Sequence, residues 1–186
     1  MKNTTTSRSS WLICLIILIM VSGCTEEPGN NDDVMMAPAD LLPGDYDISA
    51  WRRANAYDEA NDFDSLQEIV GSEAEEIIDE GFESAVFQMY EECINDVCSL
   101  VKIHLSVYDQ GDSESARAVY DRLSTGIDIP WDGAGTESRV DESDLGNYTV
   151  EFWQENFFIQ VGIEEKTDGS LNVVKLFASH VSSGIR

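Results

Sequence analysis

The chain has 186 residues, with 11 Lys and Arg against 36 Asp and Glu and a formal charge of −25 at pH 7. Such a surface repels phosphate backbones and anionic headgroups, which excludes direct nucleic-acid binding and favours cations, basic proteins or concentrated salt as surroundings. The length suits one domain that can bury a core of its own.

Lys2 and Arg8 precede an apolar stretch, Trp11 to Val21. That stretch falls well short of the roughly 20 residues a helix needs to cross a bilayer. Small residues follow in Val21-Ser22-Gly23-Cys24, so residues 1–23 read as a signal peptide. An uncleaved N-terminal anchor is the alternative. The Val-Ser-Gly-Cys ending resembles the lipobox of prokaryotic lipoproteins, which implies cleavage before Cys24 and acylation of its thiol. A diacylglycerol brings the two hydrophobic chains that stable anchoring requires. Residues 24–43, polar and proline-containing, read as a flexible linker without a core, leaving 44–186 as a single α+β domain.

Trp51 brings aromatic packing to the start of that domain. A helix is predicted from about Asp64, with Ser65-Leu66-Gln67-Glu68 at capping-box spacing and Leu66, Ile69, Val70, Ala74, Ile77 and Ile78 on one face. Gly81 ends it, and Gly71 is a point at which it could split. A hairpin follows, Ala85 to Glu92 and Val97 to Tyr108, around an Asn95-Asp96 turn that tolerates positive φ. Numbering outward from the turn sets Cys93 opposite Cys98, close enough for a disulfide, as expected of an even pair in an exported protein. Phe87 and Met89 point away from the face formed by Val97, Val101, Ile103, Leu105 and Val107, which predicts a bulge or a partial cover on the second face. His104 reads as an exposed strand residue. Asp112 or Ser113 caps a helix carrying Ala116, Val119, Tyr120 and Leu123.

Ser124 to Asn147 lacks periodicity and reads as a long loop around Trp131. A second hairpin turns at Glu155-Asn156, pairing Phe152 with Ile159, Val150 with Val161 and Tyr148 with Ile163. Its outer face carries Trp153 opposite Phe158. Leu171 to Ser182 forms a closing helix. The order helix, hairpin, helix, hairpin, helix predicts a single antiparallel sheet built from two hairpins, with about three helices packed mainly on one face.

The chemistry-bearing inventory is thin. Gly-x-Ser-x-Gly, His-Glu-x-x-His, P-loop and dinucleotide motifs are all missing, and His104 and His180 are the only histidines. With 36 carboxylates, a pair suited to glycoside hydrolysis is a matter of abundance and carries no weight. The expectation is therefore a non-enzyme without cofactor or metal. Asp141 to Gly146 begins like an EF-hand loop, but Leu145 and Phe152 stand where ligands belong. Trp131, Trp153 and Phe158 form the candidate binding surface, since Trp is enriched at hot spots. The competing reading buries them under the closing helix or the Trp51 segment.

The segments "WRRANAYDEANDFDSLQEIVGSEAEEIIDEGF", "VYDQGDSESARAVYD" and "FWQENFFIQV", in that order between Trp51 and Val161, resemble a family of uncharacterised prokaryotic exported lipoproteins classified as a domain of unknown function. The resemblance implies one extracytoplasmic domain and carries over no site residue. The expected function is a binding or accessory lipoprotein, held on the extracytoplasmic face of the cell membrane by Cys24 and possessing a protein partner in the envelope. A structural envelope component or a divalent-cation-binding domain are the alternatives.

The acid excess is either an adaptation to concentrated salt or a divalent-cation site. Screening predicts a melting temperature that climbs steadily with monovalent salt. A cation site predicts a saturable gain at low millimolar divalent ion. Thermal melts insensitive to both would refute both accounts.

Overall fold

Two stretches of alternating hydrophobicity build the centre of the molecule. A computed structural model describes residues 36–186 apart from Asp96. The expected signal segment, Cys24 and the expected linker as far as residue 35 lie outside the described residues. Strands β1 (Trp51–Arg53), β2 (Asp58–Ala60), β3 (Ser84–Ile94), β4 (Val97–Asp109), β5 (Ile129–Trp131), β6 (Glu137–Asp141), β7 (Tyr148–Gln154) and β8 (Phe157–Ile163) make one antiparallel sheet. Its order is β1-β3-β4-β8-β7-β6-β5, and β2 also pairs with β3. Helices α1 (Phe63–Val70), α2 (Ala74–Ile78), α3 (Ser113–Arg122) and α4 (Asp168–Gly184) complete an α+β fold.

Both hairpins have the register read from the sequence. Cys93 lies opposite Cys98 and the two are joined by a disulfide. Asn95 takes a φ of 50°, the left-handed conformation that a tight hairpin turn demands. The predicted irregularity is a register shift between Glu91 and Cys93. In the second hairpin Phe152 faces Ile159, Val150 faces Val161 and Tyr148 faces Ile163.

Helix starts follow the nearest side-chain oxygen. Asp62 caps α1 by accepting the Ser65 N–H at 2.9 Å, so Ser65 is the third helical residue rather than the cap. Gly71, at φ 66°, divides the predicted helix into α1 and α2. Asp112 caps α3, accepting from Ser115 at 2.8 Å. Thr167 caps α4 and starts it ahead of its first apolar residue.

Successive side chains of a strand face opposite ways, and here both sides are covered. Ile103, Leu105, Val107, Val150, Phe152, Ile159 and Val161 share a core with Val174, Phe177, Ala178 and Val181 of α4. On the other side Tyr108 and Phe158 pack with Leu66, Ala74, Ile77, Val119 and Tyr120. Three of the four helices thus occupy one face, and α4 lies alone on the other.

Three expectations are corrected. Leu41 and Leu42, assigned to the linker, are buried in the α4-side core after a 3-10 turn at Pro38–Leu41, so the domain starts before residue 44. Arg53 donates to the Leu42 and Pro43 carbonyls and the Tyr90 hydroxyl to that of Pro43, tying this apolar pair to β1 and β3. The segment Ser124 to Asn147 holds β5 and β6, whose short runs give no periodic signal. Phe158 is 0% exposed and Trp153 half-buried, because the α1–α3 layer covers that face of the hairpin. Neither the closing helix nor the Trp51 segment provides the cover.

Phe158→Ala is expected to lower unfolding stability by about 3–5 kcal/mol, as truncation of a buried aromatic does. Urea denaturation measures it, and a loss below about 1 kcal/mol would mean that this face is open.

Candidate functional site

Antiparallel register lines up residues in rows across the strands. On the face shared with α1–α3, one row reads Phe87, Ser106, Gln160, Glu151, Arg139, Pro130 from β3 to β5. Its middle is polar, beside the apolar row of Tyr108, Phe158 and Trp153. Buried polar groups need partners, and these are each other's. The Tyr108 hydroxyl donates to Gln160 Oε1 at 3.2 Å, and Gln160 Nε2 donates to Glu151 Oε1 at 2.9 Å. Arg139 Nε donates to Glu151 Oε2 at 2.7 Å, with Nη2 2.6 Å from the same oxygen. The guanidinium lies 4.1 Å from the Tyr120 ring centroid, a cation–π stack supplied by α3. Arg139 and Glu151 are each 5% exposed.

Arg139 forms the floor of a cleft of about 510 Å³ between α3 and the β5–β6 hairpin. Tyr120, Asp128, Trp131, Asp132 and Glu137 are among its walls. Asp128 accepts from the Ser124 and Thr125 hydroxyls at 2.6 and 2.7 Å and stands 3.5 Å from Arg139 Nε. Burial alone would raise its carboxyl, but these hydroxyls and the guanidinium outweigh it and hold the group below the ordinary range. For Glu151 burial wins: its carboxyl is pushed up, and Arg139 and Gln160 offset only part of the shift.

The turn between β5 and β6 is held on both sides. The Thr136 N–H donates to the Trp153 carbonyl at 2.8 Å, the Gly135 N–H to Ser182 Oγ at 2.9 Å, and Ser179 Oγ to the Gly133 carbonyl at 2.9 Å. Gly135 has φ 61°, and a Cβ there would come within 2.5 Å of the Trp153 carbonyl. This wall therefore requires glycine and is fixed to β7 and α4.

Two other places invite a metal. Glu91, Cys93 and Cys98 are close together, but the sulfurs are bonded to each other. Glu91 itself is held by Arg52 at 2.8 Å and Lys102 at 2.6 Å. In the loop from Asp141 to Gly146, Lys166 Nζ donates to the Glu142 and Asp144 carbonyls at 2.7 Å each. An ammonium thus sits where a loop-bound ion would be.

Of the residues singled out from sequence, Cys24 lies outside the described residues and Cys93 and Cys98 form the bridge. Trp131 lines the cleft, with Lys175 Nζ 5.4 Å from its ring centroid. Trp153 accepts the Thr136 N–H at its carbonyl, so it holds the β5–β6 turn and does not line the cleft, and Phe158 is core. Trp153 and Phe158 are thus not an outward aromatic surface. Sequence reasoning missed Arg139, Glu151, Asp128 and Tyr120. The available signal was Glu151 between Val150 and Phe152, an acid inside an apolar run. No protein-family model matches the chain, and neither a curated protein nor a solved structure is detectably similar to it.

Removing one member of a buried ion pair strands the other. Arg139→Met should cost about 3–5 kcal/mol, whereas Arg139→Met combined with Glu151→Leu should recover most of that loss. Urea denaturation of both single variants and of the double variant decides it: a double loss equal to the sum of the two single losses would mean that the pair is not coupled.

Proposed function

We propose that this chain is a lipid-anchored extracytoplasmic binding domain, non-catalytic, whose ligand site is the Arg139 cleft. The observation that carries the reading is a buried guanidinium at the floor of a cleft with a fixed wall. A polar row beneath a helix layer is costly to bury, and it is retained here where a cavity of small-molecule size opens onto it. Neither histidine nor cysteine lines the cleft, which fits recognition better than acid–base or thiol chemistry. The Val21-Ser22-Gly23-Cys24 site and the Cys93–Cys98 bridge support an exported, oxidising setting. Among the described residues no helix is long and apolar enough to cross a membrane, which leaves Cys24 as the proposed attachment.

A structural envelope role is the second reading. It is favoured by the tip of the β3–β4 hairpin, where Ile94, Val97 and Leu100 are 59%, 75% and 92% exposed on an otherwise acidic molecule.

Native mass spectrometry of the protein extracted from membranes tests the proposal. The expected species begins at an acylated Cys24, and Cys24→Ser abolishes the lipid mass. A small molecule should be retained by the wild type and lost in Arg139→Lys. An unmodified Met1 terminus would refute the anchor. A stable heteromer with an empty cleft would favour the structural role.

A further inference from the structure

Once its internal contacts are made, the cleft still has hydrogen-bonding capacity, and that capacity defines what fits. Arg139 Nε donates to Glu151 Oε2, Nη2 lies 2.6 Å from the same oxygen without making a hydrogen bond, and one face of the guanidinium is stacked on Tyr120. Among the described residues, Nη1 donates no hydrogen bond to the protein. Donors on a side chain 5% exposed, in a residue that lines a cavity, call for an acceptor in that cavity. Nearer the solvent the requirement is reversed. Asp132 and Glu137 line the same cleft as exposed carboxylates that accept and do not donate. Arg117 reaches Glu137 only at 3.9 Å.

Charge then sorts the ligands. Arg139 is already matched by Glu151, and Asp128, Asp132 and Glu137 add negative charge around it, against Arg117 near Glu137 and Lys175 beside Trp131. A dianion such as phosphate would find an acceptor-rich, net-negative cleft and be repelled. A simple amine would satisfy the outer carboxylates but bring a cation to the guanidinium. What meets both demands is a molecule with an acceptor at one end and an ammonium at the other.

We propose that the Arg139 cleft binds a small zwitterion, an amino acid or short peptide of zero or +1 net charge, with its carboxylate on Arg139 Nη1 and its ammonium group between Asp132 and Glu137. This rests on the reading of the cleft as a ligand site. The fork geometry of Arg matters here: a carboxylate is matched by a planar guanidinium and less well by the point charge of Lys. Trp131 and Tyr120 supply apolar wall for the aliphatic part between the two ends.

The test is calorimetric titration of the full membrane-extracted chain with L-lysine, ε-aminocaproate, cadaverine, hexanoate and glucose. L-lysine or ε-aminocaproate should bind about tenfold or more tightly than cadaverine, which lacks the carboxylate, and hexanoate, which lacks the amine. Arg139→Lys should remove that advantage and leave cadaverine unchanged. Asp132→Asn with Glu137→Gln, at exposed positions, should weaken L-lysine and, by removing negative charge, leave hexanoate no weaker. These two substitutions read the proposal even if Arg139→Lys melts early. Equal affinity for cadaverine or hexanoate overturns it. Glucose, or another compound found in the native protein, binding in an Arg139-dependent way while the zwitterions do not would overturn the ligand class and leave the cleft a binding site. No Arg139-dependent binding of anything, with nothing retained natively, would overturn both.

Discussion

Strands β8 and β7 and the 105–109 end of β4 have neighbours beside them and helices above and below, so side chains there, odd or even, are packed. This two-sided cover is the constraint on which the rest depends. It makes Phe158 core, although it lies opposite the residues that face α4. It also fixes register, because a slip of one residue would exchange the α4 side and the α3 side along a whole strand. Ser106, Gln160, Glu151 and Arg139 come together through four strands in that single register. The polar row is thus a product of the sheet's alignment, and the cleft is what lies at the end of the row where β5 becomes too short to continue it.

The hairpins were legible because their signals are local. Alternation over several residues, a two-residue turn of suitable type and a cysteine pair equidistant from it fix pairing without tertiary information. Gly71 and Asp112 were legible for the same reason. The edge strands were not. β1, β2 and β5 have three residues each, and β6 reads Glu137-Ser138-Arg139-Val140-Asp141, in which Val140 alone marks the inner side. Such strands exist because a longer neighbour offers its free edge. The two-sided cover was partly visible: Trp153 opposite Phe158 on a supposed outer face is better explained by a second layer than by an exposed surface. Leu41 and Leu42 were hidden by the polar sequence around them.

The candidate site was less legible than the fold. Trp131 stood out as a large aromatic in a Gly- and Asp-rich segment, and it does line the cleft. Arg139 gave no such signal, since an arginine in a polar strand resembles any solvated residue until Glu151 is placed opposite it. Glu151 between Val150 and Phe152 marks a strand with one polar position on a covered face, but nothing in the sequence says which distant cation meets it. Electrostatic partners separated along the chain are specified by the sheet, and the sheet had to be known first.

In so acidic a chain the rare cations serve as ties. Arg53 holds the Leu42–Pro43 segment, Lys102 and Arg52 clasp Glu91, and Arg122 joins α3 to Asp79 and Glu80 after α2. Lys166 closes the loop after β6, and Lys175 lies beside Trp131. Lys102, Lys166 and Lys175 are the only three lysines after residue 23. An amine-directed crosslinker or fluorophore would therefore have few targets on this domain, each already part of a contact, and labelling would disturb what it reports. Carbodiimide coupling of an added amine would find many more targets, because carboxylates far outnumber lysines.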